Sequence, residues 1–350
     1  MTEVIRVDRQ EPNPADIARA AECLRTGGLV AFPTETVYGL GVHALDRAAV
    51  LRLFDVKGRP ANDPLILHVA TSDQVRTVVT SPPPVWERLA DRFWPGPLTL
   101  VMRRGSIVPP EVTAGLDTVA VRVPAHPVAR ALLAAAQVPV AAPSANLFSR
   151  PSPTRAAHVL EDLAGRIEMI LDSGPTDVGI ESTVLDLTVE PPTVLRPGAV
   201  SLDMLREILA DVHVRAHAAT VEEKAMRSPG LLPTHYAPRA PLTLYQGPAD
   251  SLLAAMIAAA RAAIAGDMRV GVLATSDEVV LWRELPVRIA ELGPRDRNER
   301  VAQRLYDALR ELDAAGVDLI LAHDVLVQDG LSDAIRDRLL RAAARLAFVD

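Results

Sequence analysis

Short apolar runs, broken by glycine and proline, set the rhythm of the first 200 residues. Runs at 29–33, 65–70, 98–102, 119–123, 138–142, 183–187 and 193–195 are too short for helices and read as buried strands. Helices are predicted over 47–56, 85–92, 127–136 and 202–209. Another opens at Asn13-Pro14, an N-cap followed by proline at the first helical position, and closes at Gly27-Gly28. Strands and helices alternate only in part, which predicts a mixed sheet. Near residue 211 the rhythm stops, and the run SPGLLPTHYAPRAP has prolines and no period, the composition of a linker. From Pro241 a regular alternation begins: strand 242–245, helix 249–265, strand 269–274, helix 297–312, strand 317–322, helix 333–347. That order predicts a small parallel, doubly wound α/β domain. The expected organisation is an α/β domain over 1–210, a proline-rich linker over 211–240 and a second α/β domain over 241–350.

Composition agrees with this division. At about 150 residues per domain, 350 residues suggest two domains. With 49% hydrophobic and 23% charged residues, a disordered or fibrous chain is excluded. No apolar run is long enough to predict a membrane span, and the N-terminus lacks the apolar core of a secretory signal. Cys23 is the only cysteine, which excludes an internal disulfide and thiolate-rich metal sites and fits a reducing cytoplasm. The net charge of −7 excludes a basic nucleic-acid-binding module, and leaves room for a weak RNA contact in a local groove. Only two of the 37 cations are lysines, Lys57 and Lys224.

The familiar signatures of phosphate loops, dinucleotide folds, zinc proteases and serine hydrolases are missing. Five segments are too polar, or too rich in glycine and proline, to be core. The run PTETVYGLG places hydroxyls at positions 34, 36 and 38, which suit either a polar ligand or a strand-to-helix turn with threonine capping. The turn KGRP sets Lys57 and Arg59 beside Gly58 and Pro60, for a phosphate or carboxylate or simply for a helix C-terminus, and no helical ion-pair partner is evident for Arg59. His68 sits in the apolar strand that follows, either as a core residue or as a functional one. Arg122 interrupts an apolar strand and requires an acidic partner or an anionic ligand, because an unpaired buried cation costs several kcal/mol. The run APSAN, with Ser144 and Asn146, suits close backbone approach by a ligand or a plain N-cap. Ser182 and Thr183 open one strand and Arg196 ends the next, a ligand site or ordinary loop chemistry.

Taken together, PTETVYGLG, KGRP with PLILH, FWPGPLTL, VAVRVP, APSAN, GIESTV and LRPG closely resemble the YrdC-like family of L-threonylcarbamoyladenylate synthases, over about 14–200. The linker and α/β tail extend the resemblance to the long, two-domain form. The implied fold is a twisted mixed sheet with helices around a concave cavity, followed by a small Rossmann-like parallel domain. The implied reaction joins L-threonine, bicarbonate and ATP into L-threonylcarbamoyl-AMP, with pyrophosphate and water as the other products. The adenylate then serves the tRNA-modifying threonylcarbamoyl transferase machinery. The resemblance implies threonine contacts at Thr36, His68, Arg122, the Ala142 backbone and Ser182, with apolar neighbours at Leu67 and Val184. It implies nucleotide contacts at Arg59, Asp63, Thr118, Ser144, Ser152, Arg196 and His235 or Tyr236 of the linker. Lys57, Arg59 and Arg196 form the expected phosphate-binding group. Mg2+ is expected to arrive on the ATP, held by phosphates and water, with no protein metal site. A linker folded over the cavity would shield the water-labile carbamate and adenylate.

Two positions depart from the family's usual pattern: Asp63 stands where a non-acidic residue is common, and Phe148-Ser149 stands where Ser-Gly is common. Two other readings compete. A carbamoyl-adenylating maturation protein shares the domain but carries cysteine-rich zinc segments, which a single cysteine opposes. An RNA-binding or ribosome-assembly module is weakened by the acidic charge and by aromatic residues at only 3%.

Overall fold

The computed structural model describes residues 1–215, 235–325 and 327–350. Residues 1–148 and 152–215 gather into one compact unit, and residues 149–151, 235–325 and 327–350 into another. Residues 216–234, most of the expected linker and the first part of its SPG…HYAP run, lie outside the described residues.

The first unit is built on an eleven-stranded sheet. Its strands in chain order are β1 (Glu3–Arg6), β2 (Val30–Pro33), β3 (Tyr38–His43), β4 (Ile66–His68), β5 (Leu98–Arg103) and β6 (Thr118–Arg122). They continue with β7 (Val140–Ala141), β8 (Met169–Asp172), β9 (Thr183–Asp186), β10 (Thr193–Arg196) and β11 (His213–Val214). Across the sheet the order is β1-β8-β2-β3-β7-β4-β6-β5-β9-β10-β11, with parallel and antiparallel pairs interspersed. The helices are α1 (Pro14–Arg25), α2 (Arg47–Lys57), α3 (Val75–Val78), α4 (Val85–Phe93), α5 (Pro127–Ala136), α6 (Ala156–Leu163) and α7 (Leu202–Arg206).

Period-two alternation divides this sheet into two faces. Leu67, Val121, Leu100, Leu185 and Ala141 enter the main core on one face. On the other, Phe32, Val140 and Ala142 pack with residues of α1 and α5, and farther along Ile66, Ala120, Val101, Val184 and Leu195 form a small apolar cluster. His68 and Arg122 share this second face, being two residues along their strands from Ile66 and Ala120. Leu67, expected among the apolar neighbours of the threonine, therefore points to the opposite face, and Ile66 shares the face of His68 and Arg122.

The run Pro33–Gly41, whose bland reading was a turn into a helix, instead closes a β-hairpin. Thr34 Oγ1 accepts the amides of Thr36 and Val37 at the turn, and β3 returns antiparallel to β2. Its glycines disguise the strand. A side chain at Gly41 would come within 2.8 Å of the Phe32 ring and 2.9 Å of Val140, so only glycine lets β3 lie there. The expected strand 138–142 shortens to Val140–Ala141 because Pro139 and Pro143 bracket it and have no N–H for the ladder.

The second unit is a five-stranded, all-parallel sheet in the order β14-β13-β15-β12-β16. Its strands are β12 (Leu242–Gln246), β13 (Val270–Ala274), β14 (Arg288–Glu291), β15 (Leu319–His323) and β16 (Arg345–Phe348). Helices α8 (Ala249–Ala265), α9 (Val279–Trp282), α10 (Asn298–Ala314) and α11 (Ser332–Ala342) connect them. The predicted final helix to 347 stops at Ala342, and Arg345–Phe348 joins β12 as a fifth strand. The alanines at 342–344 mask that break.

Candidate functional site

Arg122 ends β6 beside His68, which ends the parallel neighbour β4. Its guanidinium is buried and held on three sides: Nε donates to the Gly96 carbonyl at 3.1 Å, Nη1 to Thr36 Oγ1 at 3.0 Å, and Nη2 faces Glu35 Oε1 at 2.6 Å. The acidic partner that a buried arginine requires is thus Glu35. The sequence reading passed over it in favour of the hydroxyls around it. Of those hydroxyls, Thr34 donates to the Val37 carbonyl and Tyr38 to the Gly174 carbonyl, so both serve the fold. Thr36 alone faces Arg122.

Burial, reinforced by the nearby Arg122 charge, pushes His68 down to about 3, so its imidazole is neutral near pH 7. Its Nδ1 lies 3.3 Å from the Ile66 carbonyl. With Nδ1–H donating there, Nε2 is left as a hydrogen-bond acceptor. Ala142, on β7's continuation, donates its amide to the same Ile66 carbonyl. The structure therefore brings Thr36, His68 and Arg122 together at the ends of β4 and β6, while Ala142 lies beside Ile66, at the other end of β4.

Ser182 leads into β9, which runs parallel to β5. Its Oγ pairs with Thr99 Oγ1 at 2.8 Å and accepts from Arg196 Nη2 at 3.3 Å, while its carbonyl accepts from Arg196 Nε at 3.2 Å. Gly198 lets the LRPG turn lie directly on this segment. A side chain there would come within 2.4 Å of the Thr183 amide and 2.6 Å of the Ser182 carbonyl carbon.

The expected phosphate-binding cations converge on one carboxylate. Asp63 is fully buried and paired with Arg59 at 2.9 Å. Burial pushes its acid upward, while the charges of Arg59, Arg196 and Lys57, in that order, oppose the rise. Arg59 is thus not the unpaired cation expected in the KGRP turn: an i,i+4 partner holds it, and Nε and Nη2 also donate to the Asp63 and Pro64 carbonyls. The unusual acid at position 63 finds its compensation in these cations. Lys57 is buried, and burial first and the Arg59 charge second depress its ammonium well below the ordinary lysine range. Its Nζ donates to the Ser144 carbonyl at 2.6 Å and to the Asn146 carbonyl, tying α2 to the APSAN loop. That loop runs alongside β3, bridged at Gly39 and Ser144, and caps no helix. Ser152 donates its hydroxyl to Glu181, a second buried acid that the sequence reading missed.

Thr118 opens β6, opposite Arg103 and at the other end of the strand from Arg122. His235 and Tyr236 belong to the second unit, where the Tyr236 ring packs 5.4 Å from the Tyr306 ring and under the Arg338 guanidinium. Among the described residues, no group of three or more histidines, cysteines or carboxylates is placed to hold a metal ion. No helix among them is long and apolar enough to cross a membrane.

The depressed His68 and His126 have a consequence for stability. His126 accepts the Val128 amide as the N-cap of α5, and burial, aided by the Arg9 charge, lowers it to about 4. A histidine whose folded pKa lies below its unfolded value of about 6.5 stabilises the fold above that value and loses the contribution as pH falls. Unfolding free energy should therefore drop by about 1.4 kcal/mol per pH unit for each histidine, from pH 6.5 down to about 4 for His126 and about 3 for His68. Urea melts across this range should show a shallower decline for His68→Leu; an unchanged slope would mean that His68 titrates normally.

Comparison with known proteins places these residues in context. A model of the Sua5, YciO and YrdC family, described as telomere recombination, matches residues 22–198. A model described as threonylcarbamoyl-AMP synthase, C-terminal domain, matches residues 200–344. The chain is 43% identical to a threonylcarbamoyl-AMP synthase of Pyrococcus abyssi, over 98% of each chain. It is 42% identical to one of Bacillus subtilis, over 96% of this chain and 95% of the other. The crystal structure of P. abyssi Sua5 complexed with L-threonine superposes with a TM-score of 0.93 at 42% identity, over the whole of both chains.

Proposed function

The chain belongs to the threonylcarbamoyl-AMP synthase family, and we propose from that premise how its residues divide the joining of L-threonine, bicarbonate and ATP. The chain is a nucleotidyltransferase that makes threonylcarbamoyl-AMP for tRNA modification. The threonine amine captures bicarbonate with loss of water, or CO2 with loss of a proton, as a carbamate. A carbamate oxygen then attacks the α-phosphate, and pyrophosphate leaves. An anion attacks an anion, so positive charge must be in place beforehand. Arg59 and Arg196 supply it, while Lys57, its ammonium depressed by burial, holds the 144–146 loop in place. Mg2+ fits as a companion of the nucleotide phosphates. Thr118, Ser144 and Ser152 are the remaining nucleotide contacts of the first unit in this reading, and Asp63 acts through the cations around it. The single cysteine supports a cytoplasmic setting.

The observation that carries the reading is the group at the ends of β4 and β6. Arg122, fixed by Thr36 and Glu35, offers a guanidinium to the threonine carboxylate, and neutral His68 offers an acceptor to the threonine hydroxyl. Ser182 adds a second polar partner, and Ile66 and Val184 line the same sheet face for the methyl group. With ATP, threonine and 13C-labelled bicarbonate, mass spectrometry should detect threonylcarbamoyl-AMP carrying one heavy carbon; an unlabelled product, or none, would refute the assignment.

Side-chain choice follows from the same group. Losing the methyl is worth about 1–3 kcal/mol, whereas leaving buried polar partners unmatched costs more. Serine is therefore expected to be a poor but measurable substrate, and valine to be rejected. His68→Leu should narrow the threonine–valine gap with little change in KM for ATP. Valine activated as well as serine by the unaltered protein would contradict the polar pocket.

A further inference from the structure

Three residues from the first half of the chain belong to the second unit. Ser149, Arg150 and Pro151 gather there, while Phe148 and Ser152 on either side gather with the first unit. Within the second unit each of the three has a partner. The Ser149 carbonyl accepts the Ala237 amide at 2.8 Å, Arg150 lies 3.5 Å from Asp313, and the Pro151 carbonyl accepts Arg310 Nη2 at 2.6 Å. Arg310 and Asp313 are buried residues of α10, and Asp313 also accepts the Arg239 amide at 2.8 Å. Ser149 is held at a φ of 66°, in the left-handed region that favours glycine, and glycine is the common family residue at this position. A conformation of that kind persists where its surroundings over-determine it.

The Arg310 contact falls on one peptide group. The Pro151–Ser152 bond is trans and planar, so the Pro151 carbonyl and the Ser152 N–H lie in one plane and point in opposite directions. Holding the carbonyl therefore sets the direction of the N–H. Ser152 is as fully buried as Thr36 and Ser182. Its hydroxyl donates to Glu181 at 2.5 Å, and its amide makes no hydrogen bond among the described residues. A buried backbone N–H without an acceptor is rare and points to a missing partner.

We propose that Arg310 is a positioning residue for the nucleotide: through the Pro151–Ser152 peptide it aims the Ser152 N–H at an acceptor atom of ATP. The proposal rests on the reading of Ser152 as a nucleotide contact. It assigns that contact to the backbone amide, because the hydroxyl is engaged by Glu181. It also gives α10 of the second unit a part in the reaction.

Calorimetric titration of the full-length protein, with a non-hydrolysable ATP analogue and separately with L-threonine, tests this. Arg310→Met should weaken the analogue by about tenfold or more and leave L-threonine within about twofold. Arg310→Lys still has a donor for the carbonyl and should recover part of the loss. Ser152→Pro deletes the N–H in a segment already flanked by Pro151 and Pro153, and should weaken the analogue to a similar degree. In that background Arg310→Met should add nothing, whereas a general loss of structure would multiply the effect. Should Arg310→Met fail to melt cooperatively, Asp313→Asn takes its place: it loosens Arg150, still accepts the Arg239 amide, and should weaken the analogue selectively. Ordinary analogue affinity in the folded variant, equal losses for both ligands, or multiplied effects with Ser152→Pro would each overturn the proposal. An unaltered protein that binds no analogue would refute the nucleotide reading itself, so the two fail separately.

Discussion

Arg122→Leu is expected to lower kcat/KM for L-threonine by about 100- to 1,000-fold, the usual effect of deleting one preorganised electrostatic group. The leucine takes away the guanidinium that we assign to the threonine carboxylate. It also strands Glu35, whose buried carboxylate has Arg122 at 2.6 Å as its ion-pair partner. Breaking a buried pair from one side costs about 3–5 kcal/mol of stability. Adding Glu35→Gln should recover much of that stability and none of the activity. Urea melts and steady-state kinetics on the two variants separate the effects. Near-normal kcat/KM in the well-folded double variant would remove Arg122 from the threonine site.

Arg59→Ala should reduce kcat/KM for ATP by about 100-fold or more, by the same magnitude of lost charge stabilisation. The structure adds a structural penalty, because Asp63 would lose its 2.9 Å partner, though Arg196 and Lys57 still counter its charge. Asp63→Asn, the change toward the commoner family residue, acts in the opposite sense. It frees Arg59 and Arg196 from an internal carboxylate, so KM for ATP should fall while the fold persists. Arg59→Lys should not replace arginine fully, since one ammonium cannot reproduce the fork that spans the Asp63 carboxylate and the Pro64 carbonyl. A folded Arg59→Ala variant with ordinary ATP kinetics, or a raised KM in Asp63→Asn, would contradict the cation cluster.

How far the sequence reveals this molecule depends on the residue. Helix α5 is legible from end to end because His126-Pro127 opens it with a cap and a proline and the alanine-rich body follows. Strand β3 is not legible, because its glycines, read locally, signal a turn, and their reason is the approach of Phe32 and Val140 from distant segments. The alternation in the second unit is clear until α11, where three alanines hide the passage into β16. At the site, an arginine in an apolar strand announces that something negative must meet it. That this is Glu35, in the turn between β2 and β3, depends on the sheet order and on the hairpin turn. Asp63 shows the same limit: KGRP signals an anion site, but that the three cations share an internal carboxylate emerges only when β10 returns Arg196 to the group.

Exchange of labelled pyrophosphate into ATP tests the central claim most directly, because it reads the adenylating step itself and needs no tRNA or transferase. Exchange should require L-threonine and bicarbonate together, collapse when either is withheld, and be abolished in the Arg122→Leu, Glu35→Gln double variant. Exchange that proceeds without threonine or without bicarbonate, or no exchange by the folded protein with both present, would contradict it.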